Sequence, residues 1–366
     1  MTNILLAGIV SVGKSELIQQ TQKIGLGLEQ IVHNVSIGDV VKQSARNAGL
    51  NPERLLLTHH AIQRTLISGG IVEKSAMAAL SAGDGAHLVI DTPLTLYTRH
   101  GILTQTIEDL DAFAVIGRRI DRVVVLIDDP RETAKRLAAS NYTAKPEEVL
   151  TWTTAEIMRA YDFARRYTPG RLPIVMPRPS SRTSLIKALV DHDPAILYPI
   201  QPISAIIKLE KSESADDTAL AHRLRREIAE FEEFVQNCAI ITKPIEVMGY
   251  EPSEVEQEHT FFRDGIFVTQ ADILAGCYAG GYGSIGGDFE YTLGLLFAKP
   301  ASMINERPVM HPFGHSRIPF RFNTTKEFRA AIISSDPKYA PLKCLLNSAG
   351  TDFRYSHIEN IAKKVA

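Results

Sequence analysis

Gly8-Ile9-Val10-Ser11-Val12-Gly13-Lys14-Ser15 decides the reading of this chain. The stretch fits G-x-x-x-x-G-K-[ST], with the apolar run Ile4 to Gly8 before it and the helix-compatible run Ser15 to Gln22 after it. In that setting the glycines let backbone N–H groups wrap a chain of phosphates at a helix N-terminus. Lys14 neutralises the outer phosphates, and the Ser15 hydroxyl is placed to ligate Mg2+. Gly8, Gly13, Lys14 and Ser15 are therefore expected to hold ATP, with Mg2+ as its companion. Asp91 ends the β-like run His87 to Asp91, where a neighbouring parallel strand would offer an acid to the nucleotide and its metal. The plain alternative is an aspartate that caps the next turn.

Outward from this loop, short β-like runs alternate with longer helix-like segments, the pattern of parallel α/β layers. The expected strands of the first half are Ile4 to Gly8, Ile31 to Ser36, His87 to Asp91, Val123 to Ile127 and Pro173 to Met176. Helices are expected at Ser15 to Gln22, Asp39 to Asn47, Pro52 to Ser68, Arg131 to Ala139, Pro146 to Tyr167 and Ser181 to Val190. Asp191-His192-Asp193-Pro194 breaks the pattern, and 366 residues suit two domains, 1–192 and 195–366. The second half opens with a strand at Ala195 to Pro199. A charged helix over Thr218 to Gln236 follows, then strands near Ala239 to Val247 and up to Cys277, a helix through Phe297 and a strand at Ala301 to Ile304. Lys208 to Asp217 reads as a solvated loop.

With 40 Lys+Arg against 42 Asp+Glu there is no basic excess of the kind a dedicated nucleic-acid binder carries. No apolar stretch approaches the length of a membrane span, and the start lacks the basic region of a secretion signal, so a cytoplasmic protein is expected. Cys238, Cys277 and Cys344 are too few and too scattered for a disulfide framework or a CxxC metal site. His311 and His315 are separated by Pro312 and Gly314, which argues against a helical metal pair. Arg223 to Arg226 beside Glu227 and Glu230 reads as ion pairs on an exposed helix, and the single Trp152 as a packing residue.

Residues 1 to about 192 resemble the small nucleoside monophosphate kinases, the archaeal type of adenylate kinase in particular. Ser36-Ile37-Gly38-Asp39 stands where that family opens its acceptor-nucleotide helix. Asp91-Thr92-Pro93-Leu94-Thr95-Leu96-Tyr97-Thr98 resembles its acceptor motif, with Pro93 replacing a histidine. Asp128-Asp129-Pro130 with Arg136 resembles the start of the lid, and Phe163-Ala164-Arg165 the helix that returns from it. The resemblance implies nucleotide contacts by Asp39, Asp91, Thr92, Arg136 and Arg165, with Mg2+ at Ser15 and Asp91. The family's lid carries several arginines, whereas Leu137 to Pro146 offers only Lys145, so weak AMP phosphorylation is expected. Arg136, Arg159, Arg165 and Arg166 are candidates to compensate; the plain alternative is an ordinary solvated helix face.

A second cluster comprises Arg263-Asp264, Gln270-Ala271-Asp272 and Tyr282-Gly283-Ser284-Ile285-Gly286-Gly287-Asp288-Phe289-Glu290. A Gly/Ser-rich turn after a strand places N–H groups and the Ser284 hydroxyl at a helix N-terminus, an anion site. Glu290, with a second acid nearby, is equipment for attack at a sugar anomeric carbon. The bland alternative makes Ser284 a helix cap and Glu290 a surface acid.

Residues 195 to about 310 resemble the nucleoside 2-deoxyribosyltransferase superfamily, including its nucleoside 5'-monophosphate N-glycosidases. Tyr198-Pro199-Ile200-Gln201-Pro202-Ile203-Ser204 resembles the first strand and its sugar-side loop. The family's supporting aspartate falls on Asp264, its nucleophile on Glu290, and its S-x-G-x-x-x-E turn on Ser284, Gly286 and Glu290, with Gly287 beside them. The serine in place of an acid at 284 leans the resemblance towards a 5'-phosphate.

The expected architecture is thus α/β, a P-loop NTPase parallel-sheet domain followed by a Rossmann-like, flavodoxin-like parallel domain. The expected protein is an enzyme of nucleotide metabolism. Its C-terminal domain cleaves or exchanges the N-glycosidic bond of a nucleoside 5'-monophosphate through Glu290, and its N-terminal domain binds ATP and Mg2+. Two rivals stay open: a nucleotide kinase with a regulatory nucleotide-binding domain, and a nucleotide-sensing protein that destroys NAD. The expected partners are small-molecule nucleotides rather than nucleic acid or membrane, with a homo-oligomer left open.

Overall fold

The computed structural model describes residues 3–25, 32–51, 87–98, 101–104, 120–140, 142–168, 170–180, 182–191, 194–243, 254–277, 285–304 and 318–343. The chain divides into two compact units, Met1–Pro179 with Ala188–His192, and Ser180–Lys187 with Asp193–Lys364. Each is a parallel α/β layer structure.

The first unit is built on β1 (Asn3–Ala7), β2 (Val32–Ser36), β3 (His87–Asp91), β6 (Arg122–Ile127) and β7 (Ile174–Pro177), in the order β2-β3-β1-β6-β7 and all parallel. Ile4 to Ala7 and Val123 to Ile127 are buried throughout, the near-continuous apolar run that a strand covered on both faces requires. Leu6 pairs with Asp91 in the register, so the last residues of β1 and β3 come out side by side at the carboxyl edge of the sheet. Helices α1 (Lys14–Gly25), α2 (Ile37–Asn47), α3 (Pro130–Ala139) and α4 (Pro146–Tyr167) belong to this unit, whereas α5 (Arg182–Val190) is divided, Arg182–Lys187 falling to the second unit and Ala188–Val190 to the first.

Two features of this unit depart from the sequence expectations. A hairpin of β4 (Thr95–Thr98) and β5 (Gly101–Thr104) follows the Asp91 segment. The expected lid over Leu137 to Pro146 is only the short link from α3 to α4. Its Tyr142 is folded onto Tyr97 and Trp152, with its hydroxyl on the Tyr97 carbonyl at 3.1 Å. The expected helix Pro52 to Ser68 lies outside the described residues.

The second unit orders its parallel strands β12-β11-β10-β8-β9, from β8 (Ile196–Ile200), β9 (Ile240–Ile241), β10 (Ile273–Cys277), β11 (Ala301–Ile304) and β12 (Phe320–Phe322). Numbered within the unit this is 2-1-3-4-5, the flavodoxin-like doubly wound order, whose switch point lies between β8 and β10. One face carries the main core, where Leu197, Ile206, Leu224, Phe231, Phe322 and Phe328 pack together. It is covered by α6 (Ile203–Glu210), α7 (Ala215–Cys238) and α10 (Thr325–Ile333). The helices α8 (Glu254–Gln270) and α9 (Ile285–Leu296) pack against each other and against β8, β10 and β11, with Phe267 of α8 stacked on Tyr198 at 6.4 Å.

Three expectations change here. Lys208 to Glu210, expected to open the solvated loop, instead complete a helix over Ile203–Glu210, because Ile206 is fully buried and Glu210 takes a two-pronged ion pair from Arg225 of α7 at 2.9 and 3.0 Å. The strand expected near Ala239 to Val247 is only Ile240–Ile241 among the described residues. The stretch beyond Met310, which has no counterpart in the resemblance, supplies the fifth strand and α10. Arg223 and Glu227 face each other at 3.9 Å on the exposed side of α7, and Cys238 and Cys277 are buried free thiols. Among the described residues no helix is long and apolar enough to cross a membrane.

Candidate functional site

The phosphate loop runs from the end of β1 into α1. Gly8 has φ +139°, and a Cβ on it would stand 2.6 Å from the Leu126 carbonyl oxygen; Gly13 has φ +103°, and a Cβ there would meet the Arg178 Nε at 2.5 Å. Both positions therefore require glycine on conformation, and Gly8 also on space, since the atom it would strike is backbone, whereas the Arg178 side chain beside Gly13 can swing away. Lys14 is buried, and its Nζ donates to the Gly8 and Ile9 carbonyls at 2.5 and 3.2 Å while standing 3.7 Å from Asp91 Oδ1. Burial raises the Asp91 pKa and the nearby Asp39 raises it further, against the opposing pull of Lys14 and of a hydrogen bond from Ser15. Lys14, Ser15 and Asp39 are thus all within electrostatic reach of Asp91 at the carboxyl edge of the sheet. Thr92 is buried, its amide tied to the Leu6 carbonyl at 3.2 Å.

Two guanidinium groups flank the loop. Arg136 donates through Nε to the Ser11 carbonyl at 2.7 Å and through Nη2 to Asp128 at 2.5 Å. Arg178 reaches Glu16 at 2.6 Å and the same Asp128 oxygen at 3.4 Å. Arg136 was legible in the sequence; Arg178, just past β7, was not. Arg165 is exposed in the last turn of α4 and has no side-chain partner among the described residues. Arg159 pairs with Asp162 at 3.0 Å. Neither arginine is drawn to the phosphate loop by any of these bonds. Among the described residues no group of three or more His, Cys, Asp or Glu forms a self-sufficient metal site. Ser15 and Asp91 are hard oxygen donors that suit Mg2+ only where nucleotide phosphates complete the shell.

The second site stands at the switch-point side of the other sheet. Tyr198 of β8 is fully buried and donates its hydroxyl to Glu290 Oε1 at 2.7 Å. Burial, and secondarily the charge of Asp264, push the Glu290 carboxyl up to about 8, while the Tyr198 hydrogen bond pulls the other way. Asp264, on α8, is pushed up to about 7 by burial against the opposing charge of Arg263, and its Oδ1 is enclosed without a hydrogen-bond partner among the described residues. Burial holds the Tyr198 phenol far above its ordinary range, so it remains a donor at any working pH. Burial thus holds both carboxyls above their ordinary range, and the charge of Asp264 adds to the rise at Glu290; groups of this kind are candidates for proton transfer.

Gly286 and Gly287 lie in the first turn of α9, the former exposed and the latter buried; Ser284 lies outside the described residues. Ser204 is exposed in the first turn of α6, a helix position in place of the expected sugar-side loop. Tyr198 was quoted in the sequence only as part of a strand. A phenol on an otherwise apolar, fully buried strand is the signal that could have marked it.

No family model matches the sequence, and no curated protein matches it. Among solved structures the chain is similar to a shikimate kinase from Bacteroides thetaiotaomicron at 13% identity and a TM-score of 0.32, over 51% of this chain and 96% of that one. It is similar to a gluconokinase from Sinorhizobium meliloti 1021 at 13% identity and a TM-score of 0.29, over 51% of this chain and 89% of the other. The functional reading rests on the geometry of the two sites.

Proposed function

We propose that the chain is a nucleotide-processing enzyme whose second unit opens the N-glycosidic bond of a nucleoside 5'-monophosphate and whose first unit binds ATP·Mg2+. The observation that carries the first claim is the Tyr198–Glu290 hydrogen bond beside the half-enclosed Asp264. Glu290 attacks C1' of the sugar in its carboxylate form, the minority form near pH 7 for a group held at about 8, so the step quickens as pH rises towards that value. The C1'–N bond breaks, its electron pair goes to the base, and the base takes the proton of Asp264, whose raised pKa keeps it available near pH 7. Water then attacks C1' of the glycosyl ester, Asp264 accepts the water's proton, and Glu290 leaves as the carboxylate. Tyr198 holds the Glu290 carboxyl in one orientation and favours its charged form.

For the first unit, Lys14 between the loop carbonyls and Asp91, with Ser15 at the start of α1, favours ATP·Mg2+ binding. Bound metal supplies charge neutralisation between the phosphates. Phosphoryl transfer to a nucleotide is the second reading of this unit. The link of residues 140–145 brings no arginine, so transfer to AMP is slow in this account.

Chromatography of the protein incubated with nucleoside monophosphates and NAD, with and without ATP·Mg2+, tests the assignment. Free base from monophosphates is the expected product. ADP alone would leave only the kinase reading, and nicotinamide would move the second unit to NAD destruction.

A further inference from the structure

Beneath the phosphate loop lies a buried carboxylate that the chemistry above does not use. Glu156 sits on α4 with 1% of its surface exposed, on the same stripe as the buried Trp152, Ala160 and Phe163. Its Oε1 accepts the Gly8 amide at 2.9 Å and the Leu94 amide at 2.8 Å; its Oε2 accepts the Thr95 hydroxyl at 2.5 Å. The Trp152 indole N–H donates in turn to the Thr95 hydroxyl oxygen at 3.0 Å, so this tryptophan is a hydrogen-bonding member of the network as well as a packing residue. Burial of a carboxylate is costly unless its lone pairs are taken up, and three donors converge here.

The donors are not arbitrary. Gly8 opens the phosphate loop, and its carbonyl receives Lys14. Leu94 ends the segment that begins at Asp91, whose other end is held by the Thr92 amide on Leu6. One carboxylate thus ties the residue that seats Lys14 to the segment that carries Asp91.

We propose that Glu156 is the positioning residue of this site, setting where Lys14 and Asp91 stand relative to each other without touching the nucleotide. The proposal rests on the ATP·Mg2+ reading of the first unit. Glutamine keeps the volume and one oxygen for the two amide arms but removes the charge and reverses the Thr95 arm, since its NH2 can only donate to a hydroxyl that already accepts the Trp152 N–H, leaving the Thr95 proton without its acceptor.

The test is a double-mutant cycle read by titration calorimetry with ATP·Mg2+, on the parent protein, E156Q, D91N and the double variant. Glu156→Gln weakens ATP·Mg2+ about tenfold in the parent, the order expected for one lost charge-assisted hydrogen bond, and less than about threefold when Asp91 is already Asn. The same loss in both backgrounds, or no loss in either, overturns the proposal and leaves Glu156 as a fold-supporting group. If circular dichroism finds E156Q unfolded, Thr95→Val, which removes one arm of the clamp, takes its place in the cycle under the same criterion. A parent protein that binds neither ATP·Mg2+ nor pyrophosphate removes the nucleotide reading, and the proposal falls with it; normal parent binding with an unaltered E156Q sinks the proposal alone.

Discussion

Replacing Glu290 by glutamine should make the second unit more stable at alkaline pH and leave it unchanged in acid. The folded protein holds this carboxyl at about 8 against an ordinary value of 4.5. A group whose folded pKa is raised binds its proton more tightly in the folded state. Its contribution is complete below about 4.5 and is lost as pH climbs through about 8. A difference of about 3.5 units corresponds to a ceiling of about 5 kcal/mol at 1.36 kcal/mol per unit. The charge it shares with Asp264 keeps the contribution below that ceiling. The glutamine variant has no charge to bury, so its advantage should open between pH 5 and pH 9. Trp152, the only tryptophan, lies in the first unit, so in urea melts its fluorescence marks the first transition and far-ultraviolet dichroism, which reports both units, gives the second by difference. Stability curves of parent and E290Q that stay parallel across this range would refute the buried, proton-retaining site.

Tyr198→Phe removes the hydrogen bond that lowers the Glu290 pKa, so the pH at which base release sets in should move upward, by about one unit. A rate–pH profile with no shift, or a downward one, contradicts that role. Lys14→Ala should weaken ATP·Mg2+ binding by at least about tenfold in calorimetry while the melting of the fold survives. AMP phosphorylation should be slow beside that of a dedicated adenylate kinase, read as ADP formed from ATP and AMP. Ser284→Asp should turn a preference for monophosphates into one for nucleosides in paired rate measurements, because a fixed negative charge repels the 5'-phosphate.

The phosphate loop was legible because its chemistry is local: glycine, lysine and serine at fixed spacing between an apolar run and a helix. The strand His87–Asp91 and the helix Pro146–Tyr167 were legible at their bounds for a similar reason, since strand burial and a Pro-started helix are written in consecutive residues. Glu156 was missed although it left a trace. It falls four residues after Trp152 and four before Ala160, an acid on the apolar stripe of a helix, which calls for buried donors. Those donors, Gly8 and Leu94, are 148 and 62 residues away, so nothing local names them. Helix α6 was half hidden because Lys208 to Asp217 looks solvated until Arg225 of the next helix is seen to pair with Glu210. In the second site Glu290 and Asp264 were carried by resemblance, whereas their joint effect on proton affinity depends on burial between α8, α9 and β8.

The most direct test of the proposed glycosidic chemistry is base release from a nucleoside 5'-monophosphate by the parent protein and by E290Q, paired with intact mass spectrometry of the parent quenched during turnover. The account predicts that release collapses in the variant and that the parent carries a sugar-phosphate adduct mapping to Glu290. Undiminished release by E290Q, or turnover that never leaves an adduct on that residue while one forms elsewhere, would contradict it.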